Sequence, residues 1–219
     1  MDKETLKKSR ILRTLVFQYR HWLENRSFIR GTSNKFCNKG INVASRIQMK
    51  GSNNLLVNEL GSVIYQSVIK IKGFNNRVIL HEGAYISGVE LYIEDNNCKI
   101  EIGSHTYIGH HSHLACTEGC TLKISERCML SSYIQMRTGD SHSITDMEGN
   151  RINYGADIYI GSHCWIGEGA KILKGVILEH DTIVGTGAIV TKSAGPNVLL
   201  SGIPARVIKE NISWNEQRI

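Results

Sequence analysis

The sequence predicts an all-β chain wound into a parallel β-helix, and three observations carry the prediction. Ile160, Ile166, Ile172, Leu178, Val184 and Val190 are branched aliphatics spaced by six. Four places after each stands a small or slender residue: Cys164, Ala170, Val176, Thr182, Ala188 or Ala194. Upstream, Asn53, Asn75, Asn97 and Gly119 are spaced by 22, as are the aliphatic rows Leu80, Ile102, Ile124 and Ile86, Ile108, Leu130. A helix buries a residue about every 3.6 positions and a strand every second, so a strict stride of six marks a hexapeptide solenoid. Two side chains per stride point inward, and the narrow coil has room for one large and one small.

In chain order, residues 1–30 come first, with eight Lys or Arg against Asp2, Glu4 and Glu24; they supply +5 of the formal net charge of +6. Leu12, Leu15, Val16, Tyr19, Trp22 and Leu23 fall on one helical face, which predicts a basic amphipathic α-helix. Arg13, Arg20 and Arg26 interrupt every apolar run, so the segment does not read as a signal peptide, and no run is long enough to span a bilayer. Its apolar face either packs on the solenoid end or a partner subunit, or residues 2–25 meet an anionic membrane or glycan. Residues 31–52 read as a connecting segment and 53–200 as the β-helix. Upstream coils are 18 residues plus a four-residue bulge at one corner, where Asn and Gly tolerate left-handed backbone. Residues 137–159 carry no usable stride and are expected to leave the coil as a loop, where chemistry tends to sit on a rigid scaffold. Residues 201–219 form a C-terminal tail.

Cys128 and Cys164 occupy small inward positions, where a thiol acts as a compact hydrophobe. Cys98 and Cys120 should stack about 4.8 Å apart, which permits a disulfide sterically, but without a secretion signal the thiols are expected reduced. His105, His110, His111 and His113 lie within nine residues. With Ile108 and Ser112 facing inward, the last three fall at turn or outward positions and do not converge, so no metal site is expected.

Within the loop, Asp140-Ser141-His142 is followed by Arg151-Ile152-Asn153, then by Ile160-Gly161-Ser162-His163-Cys164-Trp165-Ile166-Gly167. Together with Val190-Thr191-Lys192 and Gly202-Ile203-Pro204-Ala205-Arg206-Val207-Ile208, these motifs resemble the hexapeptide-repeat acetyltransferases, in particular the sugar and capsular polysaccharide O-acetyltransferases. The resemblance spans residues 128–212, extends as a repeat pattern back to about 53, and does not reach 1–50. It implies a left-handed β-helix, a homotrimer, and acetyl-CoA as cosubstrate in a cleft between subunits; with no signal peptide read in residues 1–30, the chain is expected in the cytoplasm, at the inner face of the membrane if residues 2–25 engage it. No nucleic-acid partner is expected. By the same resemblance Trp165 covers the acetyl and acceptor site, Gly167, Gly185, Thr186 and Thr191 line the cofactor's arm, and Lys192, Arg206 and Lys209 meet its phosphates.

Acetyl transfer to a hydroxyl requires a base, and a near-neutral imidazole suits the task. His142 is that base by family position, with direct transfer and no acyl-enzyme. Asp140 or Asp146 would orient its ring, or merely sit solvated in a turn. Cys164 as nucleophile is disfavoured by its inward position. Family members that act on small sugars carry an Asn where Gly109 follows Tyr107-Ile108, so the expected acceptor is a capsular or other surface polysaccharide. Two rival readings are an N-acyltransferase of a nucleotide-linked amino sugar and a γ-carbonic-anhydrase-like protein using His105, His110 and His142.

Overall fold

The computed structural model describes residues 25–217; residues 1–24, with the expected amphipathic helix, lie outside the described residues. The described chain is a parallel β-solenoid of about 8 turns, and no α-helix occurs among the described residues. Each turn contributes one strand to each of three sheets, here called A, B and C in the order the chain meets them. Sheet A begins with β1 (Arg26–Arg30), β4 (Arg46–Ser52), β7 (Val68–Phe74) and β10 (Glu90–Ile93). It continues through β13 (His113–Cys116), β16 (Gln135–Arg137), β19 (Lys171–Ile172) and β22 (Ile189–Val190).

The stride of six is the inward column of the coil: Ile160, Ile166, Ile172, Leu178, Val184 and Val190 are all buried, with Cys164, Ala170, Val176, Thr182 and Ala188 packed beside them. The upstream period of 22 is equally real, since Val63 pairs with Tyr85 and Tyr107 with Met129. Past the loop the step shortens to 18, as in the pairing of Trp165 with Ile183. The corner residues Asn53, Asn75, Asn97 and Gly119 hold φ of 56°, 58°, 59° and 70°, the left-handed region their spacing anticipates.

The coil begins earlier than expected. Residues 26–30 are β1 rather than helix, and the supposed connector 31–52 is itself coil, carrying β2 (Lys35–Asn38), β3 (Ile41–Val43) and β4. The first turn pairs at a step of 20, Arg26 with Arg46 and Lys35 with Leu55, which falls outside both the six and the 22 repeats. The tail is also ordered: β23 (Val198–Gly202) and β24 (Ala205–Glu210) form an antiparallel hairpin that closes sheet C.

Buried polar columns are satisfied across turns. Asn76 is fully buried; its Oδ1 accepts from the Cys98 N–H at 2.8 Å, and its Nδ2 donates to the carbonyls of Asp95 at 3.0 Å and Lys72 at 3.1 Å. Asn76→Leu keeps the size and leaves a donor and two acceptors unpaired in the core, each costing about 1–3 kcal/mol. Urea unfolding should therefore show a loss of roughly 3 kcal/mol or more.

Candidate active site

The loop is an enlargement of the corner between sheets A and B. The chain leaves sheet A after Arg137, folds outward through residues 138–157, and re-enters sheet B at β17 (Ile158–Ile160). Its neck closes where Ala156 N donates to Thr138 O at 2.8 Å and Thr121 N to Asp157 Oδ1 at 2.8 Å. Glu118, on the corner one turn back, grips the returning arm: Oε1 accepts from Arg151 Nη2 at 2.6 Å and Oε2 from Gly155 N at 3.1 Å. The Arg151 guanidinium holds the Glu118 carboxyl below the usual carboxylate range. At the tip, Asp146 Oδ1 accepts from the backbone N–H of Glu148 and Asn150 at 3.0 and 2.8 Å, which keeps its pKa low and makes it a turn residue with no role toward His142.

Asn153, 8% exposed, ties the arms together. Its Nδ2 donates to the His142 carbonyl at 2.9 Å and to Asp140 Oδ2 at 2.8 Å. Its Oδ1 accepts from Ile144 N at 2.7 Å and Arg151 Nε at 3.2 Å. Lys174, from the next turn, donates to Asp140 Oδ2 at 2.6 Å and to the Asn153 carbonyl at 2.9 Å. The bonds from Asn153 and Lys174 both fall on Asp140 Oδ2, which thereby holds the loop backbone, and no hydrogen bond joins Asp140 to the His142 ring in this structure. Lys174 first, then Asn153, draws the Asp140 pKa below its ordinary 3.8. A depressed carboxylate contributes above its unfolded pKa and loses that contribution only as pH falls through its folded value, so this clamp persists throughout the neutral and mildly acid range.

The His142 imidazole is exposed on the rim of a cavity of about 710 Å³ lined also by Tyr92, Asn97, Arg137, Asp140 and Arg151. This is the geometry a base needs: fixed backbone, free ring, adjacent concavity. Trp165 lies elsewhere in the chain, on β18 (Trp165–Ile166) of sheet C, 41% exposed and 6.0 Å from the ring of Trp214. Trp214 stacks on His163 at 4.5 Å and donates to its carbonyl at 2.8 Å. Asp181, bound by His163 and then His180, is held below the ordinary aspartate range.

Gly167 and Gly185 sit on adjacent turns at the corner after sheet C, where a Cβ on Gly167 would stand 2.7 Å from Thr186 N. Their small size thus has a packing cause of its own. Lys192, after β22, and Arg206 and Lys209, on β24, are exposed cations at the C-terminal end, with Thr191 beside Lys192. Among the described residues none of these cations has a carboxylate partner within 4.0 Å.

Cys164 is buried, and the Cys128 thiol beside it, then burial, pushes its own thiol well above the ordinary range, the opposite of what a nucleophile needs. The six cysteines are free thiols, and the Cys98 thiol donates to the Glu94 carbonyl at 3.4 Å rather than pairing with Cys120. His110 and His111 occupy a turn, with Ser112 buried, as the stride implied. Among the described residues of the single chain, no group of three or more His, Cys, Asp or Glu that could hold a metal ion is found. Sequence reasoning missed Asn153, Lys174 and Glu118 as the loop's supports. It missed Trp214 as the partner of His163.

A model of the bacterial transferase hexapeptide, six repeats long, matches residues 157–192. The polysialic acid O-acetyltransferase of Neisseria meningitidis is 31% identical over 176 residues, 80% of this chain and 81% of that protein. The enzyme of the same name from Escherichia coli O1:K1 / APEC is 33% identical over 136 residues, 62% of this chain; the match spans 43% of that longer relative. Two crystal structures superpose over 89% of this chain: the polySia-specific acetyltransferase NeuO, with TM-score 0.81, 28% identity and 83% of that chain covered, and the polysialic acid O-acetyltransferase OatWY, with TM-score 0.82, 29% identity and 92% covered.

Asn153→Asp replaces two donated hydrogen bonds by acceptors and sets a second carboxylate beside Asp140. Acetyl transfer is expected to fall by about 10- to 100-fold in kcat, from a displaced His142, with KM for acetyl-CoA unchanged. Steady-state kinetics beside a far-UV spectrum that matches the parent chain checks this.

Proposed function

This chain belongs to the bacterial hexapeptide-repeat acetyltransferases, and from that premise we propose that it moves acetyl from acetyl-CoA to a hydroxyl of an anionic, sialic-acid-type surface polysaccharide. The observation that carries the proposal is His142. Its backbone is fixed by Asn153 on the rim of a cavity of about 710 Å³, in a chain that matches a polysialic acid O-acetyltransferase over four fifths of both lengths.

In the proposed reaction the imidazole of His142 removes the proton of the acceptor hydroxyl as its oxygen attacks the thioester carbonyl. The carbon–sulfur bond then breaks, and the imidazolium returns the proton to the coenzyme A thiolate. Acetyl-CoA supplies the activated acetyl group. A backbone N–H near the carbonyl would stabilise the developing oxyanion. The uncompensated cations Lys192, Arg206 and Lys209 suit the cosubstrate's phosphates, since fixed positive charge offsets concentrated anionic charge.

We further propose that the working form is a homotrimer packed through sheet C. Tyr85, Tyr107, Met129, Trp165, Ile183 and Leu199 stand in one in-register outward row of that sheet. An apolar outward column of this length fits a protein interface. It would also bring Trp165 beside a neighbouring copy, which explains why one chain alone holds Trp165 and His142 on different faces.

His142→Ala should leave the oligomer intact and lower kcat by about 10² to 10⁴. Near-normal turnover in this variant would remove His142 as the base. Initial rates with both substrates varied should give intersecting lines; parallel lines would indicate an acetyl-enzyme. Lys192→Ala and Arg206→Ala should each raise KM for acetyl-CoA with little change in kcat, because such contacts act on ground and transition states alike.

A further inference from the structure

We propose that the outer face of sheet A is a track on which an extended polyanionic glycan lies as it runs toward His142. This inference rests on the acceptor class proposed above.

The strand register places two outward rows side by side. One runs Phe28, Gln48, Lys70, Tyr92, then Arg137, with the buried Ala115 between the last two. The other begins Arg30, Lys50, Lys72, with Glu94 following on the next turn. From the strand of Arg30 to that of Arg137 is five inter-strand steps, about 24 Å. The loop that carries His142 departs at the far end of the first row, immediately after Arg137.

The rows are concave as well as basic. A groove of about 300 Å³ is lined by Phe28, Arg30, Gln48, Lys50, Lys70 and Lys72. The cavity beside His142 begins on the next turn with Tyr92 and Glu94. Lys72 bridges the seam between them: its Nζ donates to Tyr92 Oη at 3.0 Å, lies 5.1 Å over that ring and stands 3.6 Å from Glu94 Oε1. The two hollows therefore abut along one sheet edge and end at the proposed base.

Charge identifies the occupant. Like charges directly opposite on neighbouring strands are destabilising, yet Arg30, Lys50 and Lys72 are stacked in register. Lys70 is held by Glu90 at 2.7 Å and Lys72 by Glu94 at 3.6 Å. Among the described residues Arg30 and Lys50 have no carboxylate within 4.0 Å. A fold that stacks three cations in register and leaves Arg30 and Lys50 without a carboxylate suits a ligand carrying repeated negative charges. Residues 1–24 fit the track poorly, because their six cations outnumber three anions and would add to the repulsion. The cations proposed for acetyl-CoA lie at the opposite, C-terminal end, so the two substrates do not compete for the same charges.

The test uses the full chain, long polysialic acid and a sialic acid disaccharide, with binding followed by calorimetry at low and physiological salt and acetylation assayed in parallel. Arg30→Glu/Lys50→Glu is expected to weaken polymer binding by about tenfold or more at low salt, with a smaller difference at high salt because exposed charge is screened over about 8 Å. KM for acetyl-CoA, and kcat with the disaccharide, should not move. Lys50→Gln, the milder change, should lie between the double variant and the parent chain. Unchanged polymer affinity in a double variant of normal far-UV spectrum overturns the track, as does failure of the parent chain to bind polymer. Loss of polymer binding on deletion of residues 1–24, with none in the double variant, also overturns it. Polymer that binds along the track but is never acetylated leaves the track standing and sinks the proposed acceptor.

Discussion

In-register stacking of turns is the constraint on which everything else in this molecule rests. Parallel pairing fixes successive strands at about 4.8 Å, so each side chain lies directly over its equivalent in the turn before. Inward columns must then interlock large with small, as Ile160 to Val190 do with Cys164 to Ala188. Buried polar columns must satisfy themselves from turn to turn. The Oγ of Ser45 accepts from Ser67 N, that of Ser67 from Val89 N, and that of Ser112 from Ile134 N, each at 3.1 Å. Thr106 serves Cys128 N in the same way, and Asn54 serves Asn76 N. A small hydroxyl or amide at the entry to a strand thus caps the next turn's N–H.

The active-site loop grows from the one corner where the stacking is already relaxed. Between sheets A and B each upstream turn carries a four-residue excess around Asn53, Asn75, Asn97 and Gly119, all with positive φ. The 20 residues from 138 to 157 occupy the same corner one turn later. Beyond the loop the excess disappears and the step falls to 18. The floor of the His142 cavity is accordingly made of earlier corners, Asp95 to Asn97 and Thr117 to Gly119, while its wall is the loop itself. Glu118 belongs to both: it sits on the floor and anchors the wall through Arg151 and Gly155. Rigidity is inherited from the solenoid through that residue, through Asp157 and through Lys174.

This division explains what was legible in the sequence. Periodic features were legible because stacking writes them into every turn, and so the lumen, the corner asparagines and the aperiodic loop with His142 could be read off directly. The first turn was not, since its step of 20 and exposed Ile29 and Ile41 give no stride to detect. The loop's supports were equally hidden. Glu118 and Arg151 are 33 residues apart, and Lys174 and Asp140 are 34 apart, so no local pattern links them. Asp140 illustrates the limit: next but one to His142, it invited an orienting role, whereas its Oδ2 accepts from Lys174 and Asn153, partners that no local pattern reveals. A buried Asn in an otherwise polar excursion was the signal available for Asn153, and it becomes readable only when burial is known.

The same stacking assigns each outer face a character at small cost in sequence. One residue type repeated at one position per turn becomes a column tens of ångströms long. Sheet C repeats apolar residues and sheet A repeats cations, with Glu90 and Glu94 as the acidic residues on its outward rows. A globular scaffold would need many separate surface residues to build either feature, and a point mutation would seldom lengthen it. A solenoid lengthens both by adding a turn. A linear polymer with a regular charge spacing is the ligand whose periodicity such a surface can meet, while a small acceptor gains nothing from it beyond the last turn. Acceptor size and coil number are in this sense linked: the turns N-terminal to the loop carry Arg30, Lys50, Lys70 and Lys72 on the outer face of sheet A.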